Sequence, residues 1–263
     1  MGIIEFIQDP ANLYTWQVIT LLITAGFLVG FINTIAGSGT VITYSLFITM
    51  GMPANIANGT IRLGVILQTL TATLSFKKQG VLDWKKGLLL ALPIAIGSIA
   101  GAQIAAMLNV KVFEKLLALI MLSMIFFLFR NPKRWEHGHA GKMAKSITWK
   151  DYAIFFSIGL YGGFTHIGVG IFLLAALVMN AGYDLVKANA IKVLAVLIYS
   201  PFALLVFVLN NQVNYKIGLI SAIGNIFGGY IASRLAVNWG AGFIRWFLVL
   251  IIVLFNARVF GFL

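Results

Sequence analysis

No cysteine occurs anywhere in the 263 residues, so disulfides, thiolate metal sites and cysteine nucleophiles are excluded from the outset. Charge is scarce as well: 10% of the residues are charged against 60% hydrophobic, and only seven are acidic. A chain with so little charge and so much Leu, Ile, Val and Phe is not disordered, and a soluble domain of this length has no way to cover that much apolar surface. Enzyme signatures are missing too. Ser38 sits in Ala36-Gly37-Ser38-Gly39 rather than in a G-x-S-x-G elbow, and there is no Walker sequence, no H-E-x-x-H and no carboxylate pair within an apolar run. Primary ATP-driven transport by this chain alone is thereby excluded, and no cofactor or metal is expected. His137 and His139 form a lone His-x-His without a nearby carboxylate or thiol partner, a poor metal signature.

What is present is long apolar sequence. At roughly 20 residues per span, the chain has room for about eight to ten helical crossings with short loops, so an all-α, polytopic membrane protein is expected. Apolar runs fall at about 16–36, 40–52, 56–76, 87–107 and 112–129, and then, after a polar stretch at 130–150, at about 151–168, 171–181, 186–209, 217–236 and 241–260. The runs at 40–52 and 171–181 are too short for a straight crossing, and each adjoins a glycine-rich break, Gly37-Ser38-Gly39 or Gly168-Val169-Gly170. Broken or re-entrant helices are expected there, because irregular backbone inside a membrane is tolerable only where protein or a water-filled cavity satisfies it.

The net charge of +12 does not point to nucleic acid, because the cations lie in short tracts between apolar runs. In such a chain they set orientation. Lys77, Lys78, Lys85 and Lys86 occupy one connection; Arg130, Lys133, Arg134, Lys142, Lys145 and Lys150 occupy the central loop. Both tracts are expected on the cytoplasmic side of a bacterial inner membrane, with the N-terminal segment 1–15, the connection near 210–216 and the C-terminus periplasmic. The acidic N-terminus, with Glu5 and Asp9, does not read as a cleaved signal peptide.

Shifted by 131 residues, the halves align without a gap. Thr34, Gly37, Gly39, Gly51, Ala57, Asn58, Lys85, Gly87 and Gly97 fall on Thr165, Gly168, Gly170, Gly182, Ala188, Asn189, Lys216, Gly218 and Gly228. Roughly 17 of 68 positions match, with Gly and Asn prominent among them, so two repeats are expected at 16–129 and 151–263. The Lys77–Lys86 tract is basic while its counterpart near 208–217 is nearly neutral. Opposite charge on matching sequence predicts inverted topology, with discontinuous helices from both copies meeting near the midplane.

Polar residues gather at the breaks: Asn33, Thr34, Ser38 and Thr40 in the first half, with Thr43 nearby, and Thr165 and His166 in the second. His166 can donate a hydrogen bond to an anion or carry a proton, or serve only as a structural hydrogen-bonding group. Asn58 precedes Arg62 by four residues and Asn189 precedes Lys192 by three, so on helices each cation shares a face with its Asn. An ionised side chain within a span costs about 2.5–3.5 kcal/mol even on lenient scales, so it lines a cavity or pairs, unless it snorkels from a helix end. Carboxylates lie only near segment ends, which leaves the two cations available to an anion. Gln68, Gln103 and Asn225 are candidate interhelical hydrogen-bonders. The spacings Gly26/Gly30, Gly97/Gly101, Gly159/Gly163 and Gly224/Gly228 favour close helix packing and permit a helix-mediated homodimer.

The run Gly30-Phe31-Ile32-Asn33-Thr34-Ile35-Ala36-Gly37-Ser38-Gly39-Thr40, followed by Gly51-Met52-Pro53, by Ala57-Asn58-Gly59-Thr60-Ile61-Arg62 and, in the second half, by Ala188-Asn189-Ala190 and Lys192, resembles the sulfite exporter TauE/SafE family over about residues 16–260. The resemblance implies a multi-pass inner-membrane permease with two related halves that moves sulfur-containing anions such as sulfite, sulfoacetate or other organosulfonates. The expected partners are thus a small anionic substrate and the lipid bilayer, with no nucleic acid. An anion channel of similar substrate class is the alternative. In a carrier, one half is expected to rock against the other.

Overall fold

Membrane-length helices dominate because the sequence runs of Leu, Ile, Val, Ala and Phe carry little charge and satisfy their own backbone groups only as helices. A computed structural model describes residues 2–113, 115–116, 148–244 and 246–247. Its order is α1 (Ile3–Gln8), a short 3-10 turn, α2 (Trp16–Ile35), α3 (Thr40–Thr49), α4 (Ala54–Lys78), α5 (Trp84–Met107), α6 (Trp149–Phe164), α7 (Val169–Ala175, running on as a π turn to Asn180), α8 (Leu185–Leu209) and α9 (Tyr215–Asn238). No strand occurs among the described residues. The central loop lies largely outside them, and with it Arg130, Lys133, Arg134, His137, His139, Lys142 and Lys145, together with most of the runs at 112–129 and 241–260.

Helices α2, α5, α8 and α9 are each long and apolar enough to cross a membrane. Their outward faces are greasy: Leu92 and Ile96 of α5 are 60% and 62% exposed, a surface suited to lipid rather than water. Exposed Trp16, Trp84, Trp149 and Trp239 stand at helix ends, where interfacial indoles collect. The expected short segments are present as α3 and α7, each separated from the preceding helix by its glycine break.

Helix partners cross the halves. α9 packs between α2 and α4, α5 packs between α6 and α8, and α4 meets α8. The two halves of the sequence are therefore interlocked into two mixed bundles, α2–α4–α9 and α5–α6–α8. The glycine pairs make this possible, as expected: a Cβ on Gly26 or Gly30 would strike the backbone of Ser221 or Asn225, and one on Gly224 or Gly228 the backbone of α2. Gly97, Gly101, Gly159 and Gly163 do the same service between α5 and α6. Gly101→Val, whose Cβ would fall on the Leu160 carbonyl oxygen, is expected to destabilise the bundle by about 1–3 kcal/mol. Thermal unfolding in detergent checks this, and Gly242→Ala, whose Cβ meets nothing within 4 Å among the described residues, should melt with the native protein.

Local geometry also recurs at the 131-residue shift. Left-handed φ values pair at Gly37 (81°) with Gly168 (73°), at Gly51 (82°) with Gly182 (75°), and at Gly80 (71°) with Asn211 (56°). Asp83 accepts from the Lys86 N–H at 3.2 Å, and its counterpart Asn214 accepts from the Ile217 N–H at 3.2 Å. The connection after α4 leads into the N-terminal end of α5, whereas Gln212, in the connection after α8, donates to the Ala106 carbonyl at the other end of α5.

Three polar expectations divide. Gln68 does bridge helices, donating from Nε2 to Thr34 Oγ1 at 3.2 Å. Asn225 bonds within its own helix instead, to the Ser221 carbonyl at 3.0 Å, in a space left by Gly26, Gly30 and Gly64. Gln103 is exposed on the outer face of α5, because the interior face of that helix is taken by the small residues that meet α6.

Candidate functional site

α2 ends at Ile35 and α6 at Phe164 because left-handed Gly37, and extended Thr165 followed by left-handed Gly168, cannot continue an α-helix. Each end leaves carbonyls without an intrahelical partner, and each carries the negative end of a helix dipole into the protein interior. The two cations meet these ends reciprocally. Lys192, on α8, places its Nζ 3.2, 2.9 and 3.5 Å from the carbonyl oxygens of Asn33, Thr34 and Ile35 at the end of α2. Arg62, on α4, donates from Nη1 to Gly162 O at 3.2 Å and from Nη2 to Gly163 O at 2.6 Å, at the end of α6. One turn earlier, Asn58 donates to Phe164 O at 2.8 Å.

Neither cation snorkels: Arg62 is 0% and Lys192 1% exposed. Backbone carbonyls, rather than carboxylates, face both of them. Arg62 also lies 4.8 Å from the centroid of the Phe207 ring.

His166 sits in the second break, with Nδ1 2.9 Å from the Tyr199 hydroxyl and its carbonyl accepting from Thr40 Oγ1 at 3.4 Å. Thr165 Oγ1 accepts from the Ile167 N–H at 3.3 Å, which shapes the turn. The two breaks touch where Gly170 donates its N–H to Gly37 O at 3.2 Å. Beside that contact is a cavity of about 10 Å³, near the lower limit for one water molecule, lined by Asn33, Gly37, Gln68, His166, Gly170 and Lys192 among others.

Of the residues singled out from the sequence, Asn33, His166 and Lys192 thus share the cavity wall. Thr34 stands behind it through Gln68, Thr40 and Thr165 hold the His166 turn, and Asn58 and Arg62 secure the far end of α6. Ser38 Oγ has no partner, and Asn189 is fully buried with neither amide atom bonded, yet neither residue is among those that line the cavity. Asn33 Oδ1 and Gln68 Oε1, on the wall itself, are also unpartnered. Sequence reasoning passed over Tyr199, and it read Gln68 as an interhelical hydrogen-bonder rather than as a residue of the cavity wall. The two fall on each other at the 131-residue shift, a correspondence that pairs them.

A family model described as "Sulfite exporter TauE/SafE" matches residues 22–259. The chain belongs to that family. It is similar, at 27% identity over 93% of both chains, to a probable membrane transporter protein, ORF9, of a Sinorhizobium species. It is similar also to a probable membrane transporter protein of Haemophilus influenzae, at 26% identity over 92% of this chain and 94% of that one. Another relative, the probable membrane transporter protein YfcA of Escherichia coli, is 26% identical over 91% of this chain and 88% of its own length. No solved structure matches. This TauE/SafE member is accordingly a multi-pass protein of a membrane-transporter family, and the relatives' names describe transporters rather than enzymes.

Proposed function

We propose that this TauE/SafE protein is a secondary transporter for a small sulfur-containing anion, such as sulfite, sulfoacetate or another organosulfonate, in the bacterial inner membrane. The observation that carries the reading is the cavity between the bundles, whose one charged lining group is a cation, Lys192, among amides and an imidazole. No Asp or Glu occurs between residues 16 and 82, 84 and 113, 152 and 183, or 185 and 263. A sulfonate presents three acceptor oxygens and one negative charge; the Lys192 ammonium supplies the opposing charge, and its N–H groups, like the Gln68 amide bonded to Thr34, turn from their present acceptors to the sulfonate oxygens as the helices part.

The cavity is smaller than any such anion, so loading requires the surrounding helices to part, which favours a carrier over an open channel. Inverted repeats supply a way. The basic connection after α4 and the nearly neutral one after α8 approach opposite ends of α5, in line with the charge pattern. Because the sequence halves interlock, we take the moving units to be the mixed bundles α2–α4–α9 and α5–α6–α8 rather than residues 16–129 and 151–263. His166, bonded to Tyr199, and Lys192 then face the substrate from one bundle, and Asn33 and Gln68 from the other.

Two measurements test the reading. Sulfoacetate, 2-hydroxyethanesulfonate and sulfite should raise the melting temperature of the purified protein, since a ligand stabilises the state it binds. Lys192→Ala is expected to lower sulfonate affinity at least about tenfold, whereas Lys85→Ala, exposed at the start of α5, should leave it unchanged; calorimetry in detergent reads both. In proteoliposomes, saturable counterflow supports a carrier. Unsaturable conductance overturns that reading in favour of a channel.

A further inference from the structure

The reciprocal caps carry an inference that rests on the carrier reading and goes beyond it. Interrupted helices in carriers characteristically use their freed carbonyls and C-terminal ends to hold a coupling cation. Here both such ends are already filled, and by side chains. Three successive carbonyls, those of Asn33, Thr34 and Ile35, converge on one Nζ at 2.9–3.5 Å, which is the arrangement of a small cation in an oxygen cradle. At the other break the Gly162 and Gly163 carbonyls converge on a single guanidinium. Both cations are completely enclosed, neither meets a carboxylate among the described residues, and each belongs to the bundle opposite the helix it caps.

We propose that Lys192 and Arg62 are tethered replacements for coupling cations: transport by this chain requires no free alkali-metal ion, and truncation of Lys192 opens a monovalent-cation site at the carbonyls of Asn33, Thr34 and Ile35. The distances identify what that site accepts. Oxygens at 2.9–3.5 Å from a nitrogen form the shell of an ammonium group, so ammonium and methylammonium are the natural occupants. The Lys192 side chain also borders the cavity, so its removal leaves a space continuous with the substrate position. A tether has one further consequence. A free ion leaves its carbonyls when a carrier turns over, but a side chain stays with its own bundle, so the caps must exchange between breaking and forming as the bundles part.

The experiment uses the full chain in proteoliposomes, with 2-hydroxyethanesulfonate as the probe because, unlike sulfite, its charge does not change between pH 5 and 9. Native counterflow should agree within about twofold whether sodium, potassium or N-methylglucamine is the sole cation. Lys192→Ala should lose at least about tenfold in rate and recover severalfold with ammonium or methylammonium, but not with tetramethylammonium. A second readout needs no transport. Methylammonium should raise the melting temperature of Lys192→Ala and leave that of the native protein unmoved. A native protein that needs sodium overturns the proposal, and so does a Lys192→Ala protein that small ammonium ions neither stabilise nor rescue. If Lys192→Ala does not fold, the native cation series alone still decides the first half of the proposal. Absence of counterflow in the native protein under every condition overturns the carrier reading instead, and the melting experiment then still decides whether the cradle takes an ammonium ion.

Discussion

Arg62→Met should produce a large loss of stability, about 2–6 kcal/mol. Methionine keeps much of the volume and the contact with Phe207, so the change isolates the donors. Without them the carbonyls of Gly162 and Gly163 have no partner at the end of α6, and each buried acceptor left bare costs about 1–3 kcal/mol. No water is at hand to replace them, since the guanidinium is fully enclosed. Arg62→Lys should recover part of the loss, because an ammonium restores the charge facing the helix end but not the planar fork that reaches two carbonyls at once. Asn58→Ala, which frees one carbonyl, should cost about half as much. Thermal or denaturant unfolding in detergent ranks the three. A melting curve for Arg62→Met that overlays the native one would show that the cap is dispensable and that α6 is held by its glycine packing against α5 alone.

The cap shows how far sequence alone reached. Asn58 and Arg62 stand four residues apart on one helix, and that spacing placed both on one face; in the structure both reach the last carbonyls of α6. What they reach was not legible. A helix end has no composition of its own, and the carbonyls that neutralise the cations belong to every residue type, so a search for acidic partners found nothing. The second cation is one position out of register with the first, since Ile61, not Arg62, aligns with Lys192. Even so, each reaches the opposite break, because a long flexible side chain absorbs a one-residue offset that a short one does not. The breaks themselves were legible, since Gly37 and Gly168 recur at one interval and both adopt a conformation that L side chains rarely accept. Helix partners were harder. Gly26 and Gly101 declare a close approach but not to which helix, so the interlocking of the halves emerged only with the structure. Gln68 and Tyr199 illustrate a signal only half used: Gln68 stands out alone, but the 131-residue shift pairs it with Tyr199, and each bonds to a residue at or beside a break.

Gly170→Ala should remove most of the transport activity with a comparatively small change in stability. The two breaks meet backbone to backbone, and a Cβ on Gly170 would be driven into the Cα of Gly37. Nothing there can rotate away, because the obstructing atoms are main chain and belong to the break that directly follows the helix Lys192 caps. Relief requires the breaks to separate by about 1 Å to restore ordinary carbon–carbon contact, which stretches the Gly170 to Gly37 hydrogen bond and shifts the α2 carbonyls relative to Lys192. Overpacking of this kind costs about 1–3 kcal/mol in stability. The effect on function should be greater, on the order of 10²-fold in counterflow rate, because a displacement of about 1 Å between groups that must act together commonly costs that much. Gly170→Ala and Gly242→Ala add the same methyl group, one at the meeting of the breaks and one in open space, so their ratio removes any general effect of the added carbon. A Gly170→Ala protein that binds and moves 2-hydroxyethanesulfonate like the native one would place the substrate away from the breaks. The unbonded amide of Asn189 would then be the next group to probe, since it is the one fully buried candidate whose polar atoms are all without a partner.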